Sequence, residues 1–436
     1  MQTNRASWGS RFGLIMAAAG SAVGLGNLWR FPFITAQGGG GTFLIMYLAV
    51  TVFIGFTFLL IEIGLGKKMR SDPVGTMKAV NPRLAWIGFL GILAPCIILP
   101  YYSVVGSWIV YYLTRSVSDW SITDYEQHFN SFISSPLQPL LYLAVFISVS
   151  AYVVYKGIET GIEKYSKIIM PVLFVLLLIL MFRSLMLDYA HAGIRFFLTP
   201  DFSKLTPHTF LLALGQSFFS LSVGMGIYIT YGSYIKNDED IFKGIWPVPV
   251  LDTLVSLLAG ITVFSAVFAF DIPMNSGAAL VFITLPKILA ALPFGDFFSA
   301  LFFMLLLFAA VTSTISLLEV IVSFMGDQMH ISRHKSTVVA SIGIFIVGIF
   351  VSLSFGVSSD CKLFDRNLFD LLDFTASSIL LPLCGLMTTI AAGWFLGVDK
   401  LEIFKDVRME KAFEIIAKYI APISVILVFF NSLGLL

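Results

Sequence analysis

Charge is scarce in this sequence. Asp, Glu, Lys and Arg make up 12% of its 436 residues, about half of the roughly 25% usual in soluble domains. So few charges cannot cover a chain of this length with an ordinary water-facing surface, which excludes a soluble enzyme, a nucleic-acid binder and a disordered protein. The 27 basic and 26 acidic residues nearly cancel, leaving +1, so no acidic partner is implied. Three cysteines, Cys96, Cys361 and Cys384, show no CxxC spacing, and an odd number cannot all pair. Five scattered histidines give no metal-ligand spacing. The apolar stretches also lack the Ser/His, paired-Asp or His/Glu groupings that intramembrane catalysis requires, so the chain reads as no enzyme. Subunit-repeated pore motifs are missing too. The first apolar run, Phe12 to Ile34, is too long for a signal-peptide core and ends in Trp29-Arg30-Phe31-Pro32 rather than small residues.

Apolar residues are abundant. They account for 58% of the chain, the mean hydropathy is +0.91, and runs of about 20 residues, enough to span a bilayer core, recur throughout. Eleven spans are predicted, near 11–35, 42–66, 86–114, 138–155, 162–187, 208–233, 246–271, 294–325, 336–356, 367–396 and 412–434. The segment 272–293, punctuated by Pro273, Pro286 and Pro293, reads as an external loop with short helices. The fold class is therefore an all-α polytopic membrane protein, a single transmembrane domain over 1–436. Most lysines and arginines, including Lys67, Lys68, Arg70, Arg333 and Lys335, fall in loops on the side of the N-terminus. The positive-inside bias then puts the N-terminus in the cytoplasm of a cell whose plasma (inner) membrane holds the chain. An odd number of crossings puts the C-terminus outside.

Two spans carry glycines where a helix should run uninterrupted. Val23-Gly24-Leu25-Gly26 lies mid-way through the first and Val223-Gly224-Met225-Gly226 mid-way through the sixth. A single pair could merely let helices pack closely. Matched pairs five spans apart, crossing in opposite directions, point instead to an inverted repeat with unwound midpoints, a pattern that marks transporter binding sites. The two repeats would cover about 11–187 and 208–396, with an extra helix at 412–434.

The run from Arg11 through Gly24-Leu-Gly-Asn-Leu-Trp-Arg-Phe-Pro32 resembles the first helix of the neurotransmitter:sodium symporter family. The likeness continues through Gly38-Gly-Gly-Gly-Thr-Phe43, Gln216-Ser-Phe-Phe-Ser-Leu-Ser222, Thr230-Tyr-Gly-Ser-Tyr234 and Thr312-Ser-Thr314, nearly the whole chain in order. An eleven-helix form is similar to the family's bacterial amino-acid transporters.

That resemblance implies an amino-acid site. The substrate carboxylate should meet the backbone at Gly24, Leu25 and Gly26 and the hydroxyl of Tyr102. The amine should meet carbonyls of Ala22, Phe219 and Ser220. The side chain should lie among Val23, Ile98, Phe219, Ser222, Met225, Ser313, Ser316 and Leu317. Monoamine carriers of the family hold an aspartate at the position of Gly24, so glycine favours a substrate that brings its own carboxylate. With apolar walls and an adaptable Met225, a hydrophobic or aromatic L-amino acid is expected, imported by sodium symport through alternating access.

The resemblance also implies two sodium sites. The first maps onto Ala22, Asn27, Ser220 and Asp252, and the second onto Gly20, Val23, Ala309, Thr312 and Ser313. Without the family, hydroxyls in an apolar helix more often bond back to their own helix. Asp252 stands where many members have asparagine, and a carboxylate within a span is a functional candidate by default. Tyr47, Gln216, Ser220 and Ser256 match the chloride site of chloride-dependent relatives, but Asp252 supplies a fixed negative charge, so chloride is not expected to be required. Arg30 with Asp373, and Arg5 with Asp327, are the expected gating ion pairs, supported by Trp8 and Tyr234. Gly161 and Pro171 place a Gly-x9-Pro spacing in the fifth span, and Glu62 is read as a structural hydrogen bonder. One protomer in a lipid bilayer should suffice for transport. A sodium-dependent sensor, or a carrier of another small zwitterion, is the alternative reading.

Overall fold

The computed structural model describes residues 5–118, 122–271, 278–404, 406–432 and 434. Among these, nine unbroken helical stretches are long and apolar enough to cross a bilayer: Gly41–Met69, Pro82–Ser118, Gln138–Tyr155, Ile158–Leu185, Ile241–Ala269, Gly295–Met329, Arg333–Leu353, Leu368–Leu396 and Val407–Ser432. Two further crossings are interrupted. The first consists of Arg11–Ala22 and Gly26–Gln37, bent by 51°. The sixth consists of Pro207–Ser220 and Ile227–Gly232. With these the crossings number eleven, in the expected order. Of the anticipated 272–293 loop, 272–277 lie outside the described residues, while Leu280–Ala290 is helical.

Each interruption has a local cause. Ser10 caps the first half-helix by accepting from the Gly13 amide. The helix ends where Val23 turns extended, at φ −72° and ψ 103°. In the sixth span Ser222, Gly224 and Gly226 take φ of 54°, 80° and 69°, the left-handed region that a helix cannot use. The third span, whose α-helix runs Ala85–Ser118, contains Pro95 and Pro100. Proline has no amide hydrogen for the carbonyl four residues back, so Pro95 leaves the Gly91 carbonyl free. A Cβ on Gly226 would lie 2.9 Å from that oxygen, so only glycine fits there.

The broken spans are held by close backbone packing. A Cβ on Gly66 would lie 2.0 Å from the Ile229 carbonyl, and one on Gly232 would lie 2.4 Å from the Ile63 carbonyl. The second span and the latter half of the sixth therefore meet backbone to backbone, the small-residue contact available where lipid offers helices no hydrophobic drive to associate. The eighth span threads the centre, with every residue from Ala309 to Ser323 buried. Apolar side chains such as Phe53, Ile168, Val175, Phe182 and Phe350 point outward, as a lipid-facing surface requires.

Overpacking a tight core costs about 1–3 kcal/mol. Gly66→Val and Gly232→Val are each expected to lower stability by about that amount, measured as thermal unfolding in detergent, whereas Gly343→Val, which meets no neighbouring atom, should be near neutral.

Candidate functional site

The two interruptions face one another and are tied together. The Ser222 hydroxyl donates to the Ser21 carbonyl at 2.9 Å, and the Ser313 hydroxyl reaches the same oxygen at 3.4 Å. At the first break the Gly24 amide donates to Asn27 Oδ1 at 2.9 Å. That amide would otherwise bond the Gly20 carbonyl, so the diversion leaves a carbonyl free at the end of the half-helix. At the sixth break the Gly224 amide donates to Glu62 Oε1 at 2.7 Å. Glu62 is fully buried and thus serves as acceptor for an amide that neither helix nor water can satisfy.

Between the breaks lies a cavity of about 510 Å³. Of the residues expected to contact a substrate, Ala22, Gly24, Leu25, Gly26, Ile98, Tyr102, Phe219, Ser220, Ser222, Met225, Ser313, Ser316 and Leu317 line it. Val23 does not line it; its side chain is fully buried in the core, because the extended backbone at 23 turns it away from the opening. Ser21 and Val105 also line the cavity, and no motif signalled them. The Tyr102 hydroxyl is buried beside the Ser313 side chain and the Leu25 backbone. A Cβ on Gly24 would lie 2.8 Å from Ser313 Oγ and 3.5 Å from that hydroxyl, and one on Gly26 would press on the Phe219 ring at 2.9 Å. Bare backbone, a buried hydroxyl and an apolar wall thus share one cavity.

Beside the cavity a polar cluster converges on Asp252. Asn27 Nδ2 donates to Asp252 Oδ1 at 2.7 Å, to Ser220 Oγ at 3.0 Å and to Ser256 Oγ at 2.9 Å. The Ser220 hydroxyl donates to the same carboxylate at 2.9 Å, and Tyr47 donates to its other oxygen at 3.1 Å. All five side chains are buried. Gln216 turns away, donating to the Gly26 carbonyl at 3.2 Å. On the opposite side, Gly20 packs against Thr312, where a Cβ would lie 3.1 Å from the threonine Cβ. The Thr312 and Ser313 hydroxyls donate to the Ala309 carbonyl, each at 3.1 Å. Hard oxygen donors are therefore grouped at two places flanking the breaks.

The two ends of the cavity differ. Towards Arg5 the protein is sealed: Arg5 pairs with Asp327, donates to Ser233 Oγ at 2.9 Å and Ser323 Oγ at 3.0 Å, and lies over the Tyr234 ring. Trp8 is buried and donates from Nε1 to the Tyr231 carbonyl at 3.0 Å. Tyr234 donates to Glu319 at 2.7 Å, and Glu319 pairs with Arg333. The sequence reading missed the pairing of Glu319 with Arg333; the signal was a third carboxylate inside an apolar span, after Glu62 and Asp252. Towards Arg30 the cavity extends past Trp29, Phe33 and Phe369. Arg30 and Asp373 both line this neck, but the expected ion pair is not made. Arg30 instead donates to Gln216 Oε1 at 3.1 Å and covers the Phe219 ring, because both lie one turn apart on the facing half-helix of the sixth span.

An all-helical bundle with two spans broken around a shared cavity is a multi-pass membrane transporter. The model of the sodium:neurotransmitter symporter family matches residues 5–133 and 127–435, and the chain belongs to that family. It is 37% identical to the sodium-dependent transporter YhdH of Bacillus subtilis over 98% of each chain. It is 32% identical to a sodium-dependent transporter of Haemophilus influenzae, over 99% of this chain and 100% of the relative. The solved structure of MhsT in complex with L-phenylalanine superposes with a TM-score of 0.90 at 37% identity, covering 98% of this chain and 100% of MhsT.

Leaving a buried donor unpaired costs about 1–3 kcal/mol. Glu62→Ala strands the Gly224 amide and is expected to destabilise the protein by about that amount, read from thermal unfolding in detergent. Glu62→Gln keeps a carbonyl acceptor and should retain most of the stability.

Proposed function

We propose that this protein is a sodium-coupled symporter that brings a hydrophobic or aromatic L-amino acid into the cell by alternating access. The observation that carries the reading is the buried Tyr102 hydroxyl set beside the bare backbone of Gly24 and Leu25 in a cavity with apolar walls. Free amides at a half-helix start and a hydroxyl donor suit a carboxylate. Gly24 presents bare backbone to the cavity beside the Tyr102 and Ser313 hydroxyls, with no carboxylate of its own. The L-phenylalanine bound to MhsT supports the same class of substrate here. Phe219 and Tyr102 cap the bound amino acid in this reading.

Two sodium ions accompany each substrate. One takes the Ala22 carbonyl, Asn27, Ser220 and Asp252, and is completed by the substrate carboxylate, which makes ion and substrate binding mutually supportive. The other takes the carbonyls of Gly20, Val23 and Ala309 and the hydroxyls of Thr312 and Ser313. One charge crossing 100 mV releases about 2.3 kcal/mol, and a tenfold gradient adds about 1.4 kcal/mol. Two sodium ions thus provide about 7.4 kcal/mol, enough for a roughly 10⁵-fold gradient of a neutral zwitterion. The N-terminus faces the cytoplasm, so the Arg5–Asp327 seal is the inner gate and the Arg30–Asp373 neck the outer one. The two repeats, 11–187 and 208–396, rearrange about the fixed site.

Chloride is not required, because Tyr47 and Ser220 donate to the Asp252 carboxylate where an anion would otherwise be needed. Reconstituted protein is expected to accumulate labelled L-phenylalanine only with a sodium gradient, equally in chloride-free buffer, with leucine, tyrosine and tryptophan competing. Sodium-dependent binding without flux would identify a sensor, and failure of leucine, tyrosine and tryptophan alike to compete would remove the substrate assignment. Asp252→Asn should make uptake fall at least fivefold on removing chloride; uptake indifferent to chloride in that variant would overturn the charge-replacement reading.

A further inference from the structure

Part of the wall of the cavity neck comes from outside the spans. The short helix Tyr125–Ser134, between the third and fourth spans, starts at Asp124, whose side chain accepts from the Gln127 amide at 2.9 Å. It buries Tyr125, Phe129 and Phe132, a helical spacing that gathers the three rings on one face. Phe129 stacks on Phe282 with ring centroids 5.3 Å apart, and meets Trp108 edge-on at 5.3 Å. Phe129 and Ile133 both line the cavity. This helix therefore closes one side of the neck through aromatic contacts with the third span and with residues 280–284.

His128 lies on the same helix, half-buried against the third span. Its Nε2 is 3.0 Å from the Tyr111 hydroxyl, the two rings stack at 5.6 Å, and Tyr112 meets the imidazole edge-on at 5.9 Å. Tyr111 also stacks on Phe132 at 3.8 Å, so one tyrosine holds the helix at two residues. A phenol hydroxyl suits a neutral imidazole, whose Nε2 lone pair accepts its hydrogen. The third span also brings Arg115 towards His128, and the fourth brings Tyr142, packed on Tyr111 and Phe132. Asp296, at the start of the eighth span, acts on Tyr125. The helix's own acids, Asp124 and Glu126, are exposed. Partial burial, and then the Arg115 charge, hold the imidazole below its ordinary value of about 6.5. A base whose proton affinity falls on docking favours the docked state above its free value, and that advantage is lost as pH drops below about 6.5.

We propose that His128 is an external proton site that releases the helix 125–134 from the neck, so that acid outside the cell slows uptake. This rests on the symport reading above and on the cytoplasmic N-terminus, which puts the connection between the third and fourth spans outside. Protonation turns Nε2 into a donor and sets a second positive charge beside Arg115, in a place with reduced access to water. The helix then swings towards solvent, where the imidazolium is hydrated. Phe129 and Ile133 leave the neck wall with it, and the outer end no longer seals over a bound amino acid.

The pH profile tests this in proteoliposomes buffered alike on both faces. From about pH 7.5 to about pH 5.5, sodium-driven uptake of labelled L-phenylalanine by wild-type protein is expected to fall about threefold. Over the same range, amide exchange of 125–134 in lipid nanodiscs, corrected for the intrinsic pH dependence of exchange, should quicken by a similar factor. His128→Gln, which keeps a neutral acceptor for Tyr111, should match wild type at the higher pH and lose both responses. Arg115→Gln, which removes the like charge, should at least halve them. An acid response in His128→Gln as large as in wild type, or wild-type exchange of 125–134 indifferent to pH, would overturn the proposal. Should His128→Gln not fold, Arg115→Gln decides by the same two readouts, undiminished responses counting against it. If wild-type protein takes up no amino acid under a sodium gradient, the transport reading falls, and the exchange of 125–134 still decides whether His128 releases the helix.

Discussion

Everything in this molecule depends on one constraint: a backbone amide or carbonyl inside hydrocarbon must have a partner, because an unsatisfied group costs several kcal/mol there. Two spans violate the usual solution by abandoning helical bonding at mid-membrane. The surrounding protein replaces the missing bonds one at a time. Asn27 accepts from Gly24, Glu62 accepts from Gly224, and Ser222 donates to the Ser21 carbonyl. Between these replacements, Gly24, Leu25 and Gly26 present bare backbone to the cavity.

The same logic accounts for the buried acids. Removing a carboxylate from water is expensive unless it is paired or well hydrogen-bonded. Asp252 collects donors from Asn27, Ser220 and Tyr47, Glu319 has Arg333 and Tyr234, and Glu163 has Gly9, Ser10 and Lys167. Glu62 differs, with one oxygen on Gly224 and the other without a partner. In each case at least one partner is distant in sequence, so each acid fastens elements that the chain order keeps apart.

Much of this was legible in the amino-acid order, for identifiable reasons. The spans follow from apolar runs, since lipid demands length and apolarity and little else. The breaks follow from Val-Gly-x-Gly at 23–26 and 223–226, because glycine is the residue that leaves the helix most readily. Contacts that depend on where a side chain turns were not legible. Nothing local says that Val23 faces the core while Ser21 faces the cavity; that depends on the extended ψ of 103° at residue 23. Nor could spacing show that Arg30 would meet Gln216 and Phe219 rather than Asp373, since the sixth span approaches from a distant part of the chain. Glu319 pairs from well inside the eighth span with Arg333 at the start of the ninth, an approach that only the fold defines.

The hydroxyls of Thr312 and Ser313, bonded to the Ala309 carbonyl of their own helix, have a kinetic corollary. Each hydroxyl spends its hydrogen on that carbonyl and keeps its oxygen lone pairs, so a cation meeting them there would need no unwinding of the eighth span. In the symport cycle proposed above, the pace then falls to the collective displacement of packed helices, which runs in microseconds to milliseconds.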